Sequence, residues 1–343
     1  MCVGKLLSRL PLCEVLLIVI VATASFALWT LTFFHRKNTG RFIRVNRFAT
    51  ETATDHIELW KATDKLMTCQ LHGRIGNMMF AYASLVGIAL KSHRTPVLPM
   101  SHFLRSMFHI KAAVLPHRLA GVAKLSELWA GTYDDRLERF QSDKHLLELT
   151  GYFQSWKYFA DIEHKIRAEF TFHDRLTVAV DEFLQSTIST YYGPGVQRRD
   201  VVLIGVHVRV TDMAADANVA RGYSIATPEY FTAAMEFYQS RFPHERLLYI
   251  LATDDEEWCR HNYPYSSSGK SPVVHTTLGP AVQDLAILAA CNHTVISVGS
   301  FGWWAAWLGN GMTVYYKNFV RFNSSLAHEY VLNDYYPDSW VAM

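Results

Sequence analysis

The stretch Ile204-Gly-Val-His-Val-Arg-Val-Thr-Asp212 is the part of this chain that best indicates its fold. An apolar strand here ends in His207 and Arg209, and Asp212 follows three residues later. Residues i and i+2 of a strand point to the same side, so the imidazole and the guanidinium leave the strand end together. Ligands of open α/β sheets bind at the carboxyl ends of strands, and Arg is well shaped to grip phosphate oxygens. The pattern predicts a nucleotide or nucleotide-sugar site.

Around this stretch, strand and helix patterns alternate. The downstream segments are Val201–Val208, Pro228–Phe242, Leu247–Thr253, Asp255–Asn262, Val273–His275, Ala281–Ala290, Thr294–Val298, Trp303–Leu308 and Thr313–Tyr316. Upstream, they are Leu66–Leu71, Asn77–Lys91, Pro96–Leu98, Ile162–Phe170 and Leu176–Ile188. The alternation predicts an α/β protein with a doubly wound parallel sheet in its C-terminal part. A Gly- and Pro-containing linker, Tyr191–Asp200, divides the body into 65–195 and 196–343.

Composition excludes some classes of protein. Half of the 343 residues are apolar and 13% are aromatic, so the chain can build a large core. The net charge is only +2, which gives no basic footprint for nucleic acid. An acidic ligand must therefore be met by local cations.

The N-terminal sequence predicts a membrane anchor. Val15–Phe34 is an uncharged run of twenty residues, long enough to span a bilayer, between a tail (1–14) and a polar stem (35–64). The alternative is a cleaved signal peptide with Lys5 and Arg9 before its apolar region. The anchor is favoured because apolar character continues to Phe34. Basic residues are denser after the run than before it, so the charge count alone leaves the orientation open.

Cysteines and sequons are less informative. Cys69, Cys259 and Cys291 lie in the body, where three thiols cannot all pair and no C-x-x-C motif occurs. Neither a zinc site nor a disulfide framework is predicted. Asn292 and Asn323 begin N-x-S/T sequons, which are candidate glycosylation sites if the body is lumenal.

The first motif that could carry chemistry is the glycine turn Leu71–Asn77. Gly73 and Gly76 lie between a predicted strand and a predicted helix, where backbone N–H groups and the helix dipole could bind an anion. Asn77 is a candidate helix cap. The spacing matches neither the dinucleotide fingerprint nor a P-loop, so a purely structural turn is the favoured reading of this motif alone.

The second motif is acidic. Asp254 follows an apolar strand and begins a run of four carboxylates, 254–257. A metal site is the less favoured interpretation, because acidic side chains also stabilise the positive end of a helix, with Thr253 or Asp254 as its cap. Asp254 could still accept hydrogen bonds from the edge of a guanine base. No metal is predicted.

The third motif is a strand that runs into Ser300-Phe301-Gly302 and a short helix. Ser300 is a candidate helix cap, and the N–H groups of the turn could meet a phosphate. Three tryptophans at helical spacing follow, and we expect them to pack in the core rather than stack on a sugar: Trp303, Trp304 and Trp307.

Taken in order, these motifs resemble one family, the α-1,2-fucosyltransferases that build H-type blood-group structures. The matching segments extend from Leu71 to Trp340. They read GRIGNMMFAYA, PVLPMSHFLRSMF, LTGYFQSWKYF, IRAEFTFHD, HVRVTD, EWCRHN, LAACNHTVISVGSFGWWAAWLGNGMTVYY and PDSWV. The long block before the C-terminus is very specific.

The resemblance implies a GT-B-like body with two Rossmann-type lobes, the N-terminal one on the acceptor side. It implies GDP-fucose as donor, no metal or other cofactor, and transfer with inversion to the 2-hydroxyl of a terminal β-galactose. It further implies a single-pass type II Golgi membrane protein with its body in the lumen, which resolves the orientation. A second copy of the chain, as a homodimer, is also among the expected partners.

The resemblance also assigns roles to residues. By likeness to the wider group of fucosyltransferases with an H-x-R-x-x-D pattern, His207 and Asp254 would hold the guanine. Arg209 would hold the β-phosphate and stabilise the leaving diphosphate, assisted by Asn77 and the Ser300–Gly302 turn. Asp212 is a candidate base, although a role in holding the loop is equally compatible with its position.

Two positions depart from the family pattern. Val210 stands where a second Arg usually follows the first, and Met78 stands where the glycine motif usually has Gln. Strand alternation turns residue 210 away from His207 and Arg209. The departure opens two alternatives: a weak or inactive membrane protein that binds nucleotide or glycan, and a fucosyltransferase with a different acceptor.

Overall fold

Two parallel β-sheets organise the part of the chain that the computed structural model describes, which comprises residues 64–115, 122–265, 271–276 and 279–343. The predicted tail (1–14), anchor (15–34) and stem (35–64, apart from Asp64) lie outside the described residues. Within the described ranges, none of the helices combines the length and the apolar character needed to cross a membrane.

The first sheet has five parallel strands in the order β3-β2-β1-β5-β4. These strands are β1 (Leu66–Cys69), β2 (Thr95–Leu98), β3 (Ala113–Val114), β4 (Ala123–Ser126) and β5 (Leu146–Thr150). Strand β1 is fully buried, as expected for a central strand covered on both faces. Three of the five strands come from the segment 104–149, where the sequence shows no clear periodicity, because these strands are short.

The second sheet has six parallel strands in the order β11-β10-β9-β6-β7-β8. They are β6 (Val201–Val208), β7 (Arg246–Thr253), β8 (Val273–His275), β9 (His293–Ile296), β10 (Thr313–Tyr315) and β11 (Val341–Ala342). Counted from its own first strand, the order is 6-5-4-1-2-3, which is the dinucleotide-binding order. The predicted doubly wound parallel sheet is confirmed.

Helices cover both sheets. They are α1 (Ile75–Lys91), α2 (Arg136–Arg139), α3 (Glu163–Glu169), α4 (Asp174–Tyr192), α5 (Asp216–Arg221), α6 (Pro228–Arg241), α7 (Glu256–Asn262), α8 (Ala281–Ala289), α9 (Ser300–Gly309) and α10 (Leu332–Tyr335). Short 3-10 turns occur at Phe103–Ser106, Trp156–Tyr158, Ala160–Ile162, Arg198–Asp200, Lys317–Phe319 and Ser325–His328. Helix α4 packs on the second sheet, because its Val180, Leu184 and Ile188 join the cluster around Leu203.

The predicted helix caps are wrong in each case. Helix α1 is capped by Arg74, and Asn77 lies inside the helix with its side chain directed to the other lobe. Helix α9 is capped by Gly299, whose φ of 99° favours glycine, and Ser300 is its first residue. Neither cap residue makes a side-chain capping bond. The predicted polar side chains are instead used in tertiary contacts.

The same misassignment occurs at α7. Asp255 is the cap, and its carboxylate accepts from the backbone N–H of Trp258 at 2.8 Å. The predicted candidates were Thr253 and Asp254. Asp254 lies one residue too early, and its carboxylate is occupied by another loop.

The two lobes belong to one compact unit and meet where α1 packs on α9. A Cβ added at Gly76 would lie 2.6 Å from the carbonyl carbon of Ser300, so glycine is required for the helices to approach this closely. The predicted core role of the three tryptophans is confirmed. Trp303 and Trp304 are fully buried and Trp307 is 6% exposed.

Candidate active site

The candidate site lies where the second sheet reverses its strand order. Strands β6 and β9 are neighbours, and the chain runs from β6 toward β7 on one side and from β9 toward β10 on the other. The crevice outside the carboxyl ends of two such strands is the usual ligand site of this architecture. His207 and Arg209 stand at the end of β6, and Ser300 follows the end of β9.

Arg209 is fixed from two directions. Its backbone N–H donates to Ser297 Oγ at 3.0 Å, and its Nε donates to Asp212 Oδ1 at 2.8 Å. A second bond joins Nη2 to Asp212 Oδ2. Burial alone would lower the pKa of Arg209, but the hydrogen bonds and charge of Asp212 outweigh it and raise that pKa. Arg209 is therefore a permanent, oriented cation.

Asp212 is the anchor of Arg209. Hydrogen bonding to Arg209 lowers the pKa of its carboxyl group, and the charge of Arg74, whose Nη2 lies 3.9 Å away, adds to the effect. A carboxylate with a lowered pKa that is committed to a guanidinium is a weak proton acceptor. The geometry favours the loop-holding role of Asp212 over the role of base.

The amino end of α9 faces Arg209. A Cβ at Gly299 would lie 2.8 Å from Arg209 Nη1, so only glycine lets the guanidinium lie against this turn. The first N–H groups of the helix, on Ser300, Phe301 and Gly302, point out of its amino end, where a helix binds anions. Cation and helix end together form a site suited to a diphosphate.

His207 is a neutral, buried ring beside this turn. Burial lowers its pKa to about 3, the charge of Arg209 adds to the effect, and the charge of Asp254 opposes it. A Cβ at Gly302 would lie 2.4 Å from its Nδ1, and the Phe301 ring is 5.3 Å from the imidazole. Among the described residues Nδ1 has no hydrogen-bond partner. An unpartnered buried nitrogen is costly to leave unmatched.

Asp254 is used within the chain. Its Oδ1 accepts from the backbone N–H of Val210 at 2.8 Å, and its Oδ2 accepts from the hydroxyl of Thr211. The carboxylate therefore fixes the loop that follows Arg209. Val210 itself is 4% exposed and belongs to the main core cluster. An Arg side chain at this position would have no place in that core, so the departure from the family pattern is a packing feature here.

Asp284 was not selected from the sequence, yet it lies at the same sheet edge. It is in the first turn of α8, just after β8, and Thr276 hydrogen-bonds to its side chain. Burial raises its pKa to about 6, and its Oδ1 has no partner in the described structure. A half-satisfied carboxyl at a ligand crevice is a candidate acceptor for a base edge. Its only sequence signal is an Asp within an apolar helix.

Asn77 joins the two lobes. Its Oδ1 accepts from Ser300 Oγ at 2.5 Å and from Gln154 Nε2 at 2.9 Å. Its amide nitrogen lies over the glycine turn, since a Cβ at Gly73 would be 2.5 Å from Nδ2. Gln154 was missed in the sequence because it lies in a loop and reaches Asn77 only in the folded chain. Asn77, Gln154 and Ser300 thus form a hydrogen-bonded contact between the two lobes.

Other predicted features are located as follows. Asn323 and Asn292 are both exposed; Asn292 Oδ1 accepts from Arg198 Nη1 and from the backbone N–H of Leu203. The body cysteines are buried free thiols: Cys69, Cys259 and Cys291. In the described ranges, no cluster of three or more His, Cys, Asp or Glu side chains could hold a metal ion.

Two parallel α/β sheets, the second with a crevice at its β6/β9 switch point, give the chain a two-lobed, GT-B-like α/β fold. The chain belongs to glycosyl transferase family 11, which matches residues 20–343. The resemblance inferred from the motifs is thereby confirmed.

Curated relatives support the same family. Galactoside alpha-(1,2)-fucosyltransferase 1 of Saimiri sciureus is 31% identical over 282 residues, which is 79% of this chain and 73% of the relative. The protein of the same name from Sus scrofa is 30% identical over 274 residues, with the same coverage of both chains. The crystal structure of POFUT1 in complex with GDP-fucose shares the fold, with a TM-score of 0.50 at 11% identity over 74% of this chain and 96% of that one.

Proposed function

We propose that this protein is a galactoside α-1,2-fucosyltransferase that transfers L-fucose from GDP-fucose to the 2-hydroxyl of a terminal β-galactose, with inversion and without a metal. The observation that carries the proposal is the placement of Arg209 against the amino end of α9, at the β6/β9 switch point. Family membership and the names of the curated relatives support the reaction.

The diphosphate would bind between Arg209 and the first N–H groups of α9. The guanine would extend along the sheet edge, from His207 toward β8. His207 pairs with Ala252 in register, and the backbone N–H of Thr276 bonds to the neighbouring Leu251. Thr276, which hydrogen-bonds to Asp284, is therefore about two strand spacings, or ~10 Å, from His207. Asp284 has a free oxygen for the base N–H groups, whereas the oxygens of Asp254 already hold the loop. We therefore assign the base contact to Asp284.

The chemistry follows from charge. The acceptor hydroxyl oxygen forms a bond to fucose C1 and releases its proton to solvent, while the bond from C1 to the β-phosphate oxygen breaks and both electrons of that bond stay on GDP. The sugar becomes oxocarbenium-like and the leaving diphosphate gains negative charge. Arg209, the α9 N–H groups and the Asn77 amide are fixed before the reaction and stabilise that charge. Because displacement is direct, β-linked fucose becomes α-linked.

The cellular setting belongs to the same proposal. We infer that Val15–Phe34 anchors a type II Golgi membrane protein whose body lies in the lumen, with Asn323 and Asn292 as glycosylation sites. Support comes from the apolar run and from the exposure of both asparagines. A homodimer stays a prediction.

The inactive alternative is disfavoured by Val210. Its side chain is buried in the core while its backbone holds Asp254, so the substitution leaves Arg209 and its anchor Asp212 in place. The site retains its permanent cation, its helix end and its interlobe contact.

The decisive experiment measures transfer of fucose from GDP-fucose to a panel of β-galactosides by the full-length protein. Linkage analysis of the product follows. We expect α-1,2-linked fucose on galactose, with turnover unaffected by a chelator. Product with another linkage would support the different-acceptor alternative. GDP binding without product on any galactoside would support the inactive alternative.

A further inference from the structure

The carboxyl edge of the first sheet carries exposed apolar and aromatic side chains. Met100 and Phe103 follow β2, Leu128 and Trp129 follow β4, and Tyr152 follows β5. Their exposed fractions are 58%, 52%, 61%, 48% and 37%. Because parallel strands end at a common edge and the order is β2-β1-β5-β4, this row spans three strand spacings, about 14 Å. Large exposed apolar side chains gathered along one edge indicate a binding surface.

Tyr152 is held rigidly at the middle of this row. Its backbone N–H donates to Glu127 Oε1, and the next N–H, of Phe153, donates to Glu127 Oε2 at 2.7 Å. Phe153 has a φ of 51°, a left-handed conformation that these bonds help to fix. The His72 ring lies 4.6 Å from the Tyr152 ring. These bonds fix the backbone at Tyr152, and its ring lies against His72.

The row is continuous with the candidate active site. The backbone N–H of Gln154, two residues after Tyr152, donates to the carbonyl of Ala130 at 2.7 Å, which ties the Trp129 segment to the Tyr152 segment. The Gln154 side chain then reaches Asn77 at 2.9 Å. Residues two apart in sequence are separated by at most about 7 Å, so Tyr152 lies near the interlobe contact.

We propose that Trp129, Tyr152 and His72 form an acceptor ledge that binds the pyranose of the terminal β-galactoside. The inference rests on the proposed function and adds the residues that select its acceptor. One face of β-galactose carries C–H groups, whose partly positive hydrogens can contact the negative face of an aromatic ring. The hydroxyl groups of the sugar then remain available to polar neighbours. A sugar stacked there would offer its hydroxyl toward the fucose carbon.

The test uses the full-length protein and two pairs of variants. Trp129→Ala and Tyr152→Ala remove a ring, whereas Trp129→Phe and Tyr152→Phe keep one. Tyr191→Ala is the matched control, because Tyr191 is also an exposed aromatic (49%) but lies on α4. Acceptor KM is measured with a β-galactosyl disaccharide. GDP affinity and the slow hydrolysis of GDP-fucose by water are measured without any acceptor.

We expect the two Ala variants to raise acceptor KM about tenfold, since a lost aromatic contact is worth roughly one decade of affinity. The Phe variants and Tyr191→Ala should keep the wild-type KM, and all variants should keep wild-type GDP affinity and hydrolysis. A wild-type KM in both Ala variants would overturn the ledge and leave the proposed function standing. If the wild type transfers no fucose, the proposed function fails. Titration of the GDP-saturated protein with methyl β-galactoside then decides whether the ledge binds the sugar.

Discussion

Both sheets are parallel, so each has one edge at which its strands end, but these two carboxyl edges have opposite chemistry. At the second edge, the functional groups are buried or half-buried and preorganised: Arg209 donates to Asp212, and glycines at 299 and 302 admit the guanidinium and the imidazole. At the first edge, Trp129 and Tyr152 are exposed. This difference shows how two parallel α/β sheets can divide the stabilisation of charge from the binding of a neutral sugar. Charge stabilisation requires fixed dipoles in a dry site, whereas holding a neutral sugar requires open aromatic faces.

The largest effect is expected from the cation of the second edge. Arg209→Ala should lower kcat for fucosyl transfer about 100-fold or more, because it removes the charge that stabilises the leaving diphosphate. Arg209→Lys should recover only part of the rate, since an ammonium cannot reproduce the fixed guanidinium fork. Steady-state kinetics at saturating acceptor measure both.

The matched control for Arg209 is Arg199→Ala, which removes a cation whose side chain is 85% exposed and should leave kcat unchanged. Equal losses in Arg199→Ala and Arg209→Ala would show that general charge, and not the oriented guanidinium, matters.

The second largest effect is expected at the contact between helices α1 and α9, which joins the two lobes. Gly76→Ala places a Cβ 2.6 Å from the Ser300 carbonyl carbon, so α1 and α9 must separate. We expect a loss of about 1–3 kcal/mol in the free energy of unfolding, together with reduced turnover because the Asn77–Ser300 bond is strained. Thermal unfolding and turnover measure these losses.

Gly195→Ala is the control, since no atom lies within 4 Å of the added Cβ. The stability of this variant should stay within about 0.5 kcal/mol of that of the wild type. Equal destabilisation in both variants would argue against a close helix contact.

A smaller effect is expected at Asp284, where the guanine base of GDP would bind. Asp284→Asn should weaken GDP binding about tenfold near pH 7.5, because a neutral amide replaces a charged acceptor. Since the pKa of the free carboxyl is about 6, wild-type GDP affinity should fall as pH drops through 6, and the Asn variant should lack this dependence. Calorimetric titration between pH 5 and 8 measures it.

The stability of Asp284→Asn should change in the opposite direction. The folded pKa of about 6 lies above the ordinary 3.8, so the folded state binds more protons between these values. The contribution of Asp284 to the free energy of unfolding is therefore lost as pH rises from 3.8 to about 6. Asp284→Asn should be more stable than wild type at pH 7 while binding GDP more weakly. A variant that loses both stability and affinity would indicate a purely structural carboxyl.

Sequence patterns predicted the second sheet better than the first. Val201–Val208 and Val273–His275 were predicted with their observed bounds, because buried parallel strands are continuous apolar runs. Strands β3 and β4 were missed because they are two and four residues long and half-exposed. Helix α5 has no signal in the sequence, since its six residues carry no apolar periodicity.

The candidate site was predictable only where its residues are close in sequence. His207, Arg209 and the Ser300 turn follow strand ends, so alternation and topology bring them together. Gln154 and Asp284 meet their partners only in the folded chain. The caps at Asn77 and Ser300 were predicted wrongly because local propensity cannot anticipate that the two side chains bond to each other.

The most direct test of the division between the two edges is the GDP affinity of Arg209→Ala and Tyr152→Ala, measured side by side by calorimetry. We predict that Arg209→Ala weakens GDP binding at least tenfold and that Tyr152→Ala binds GDP as the wild type does. Unchanged affinity in Arg209→Ala, or an equal loss in Tyr152→Ala, would contradict the assignment of the nucleotide to the second edge alone.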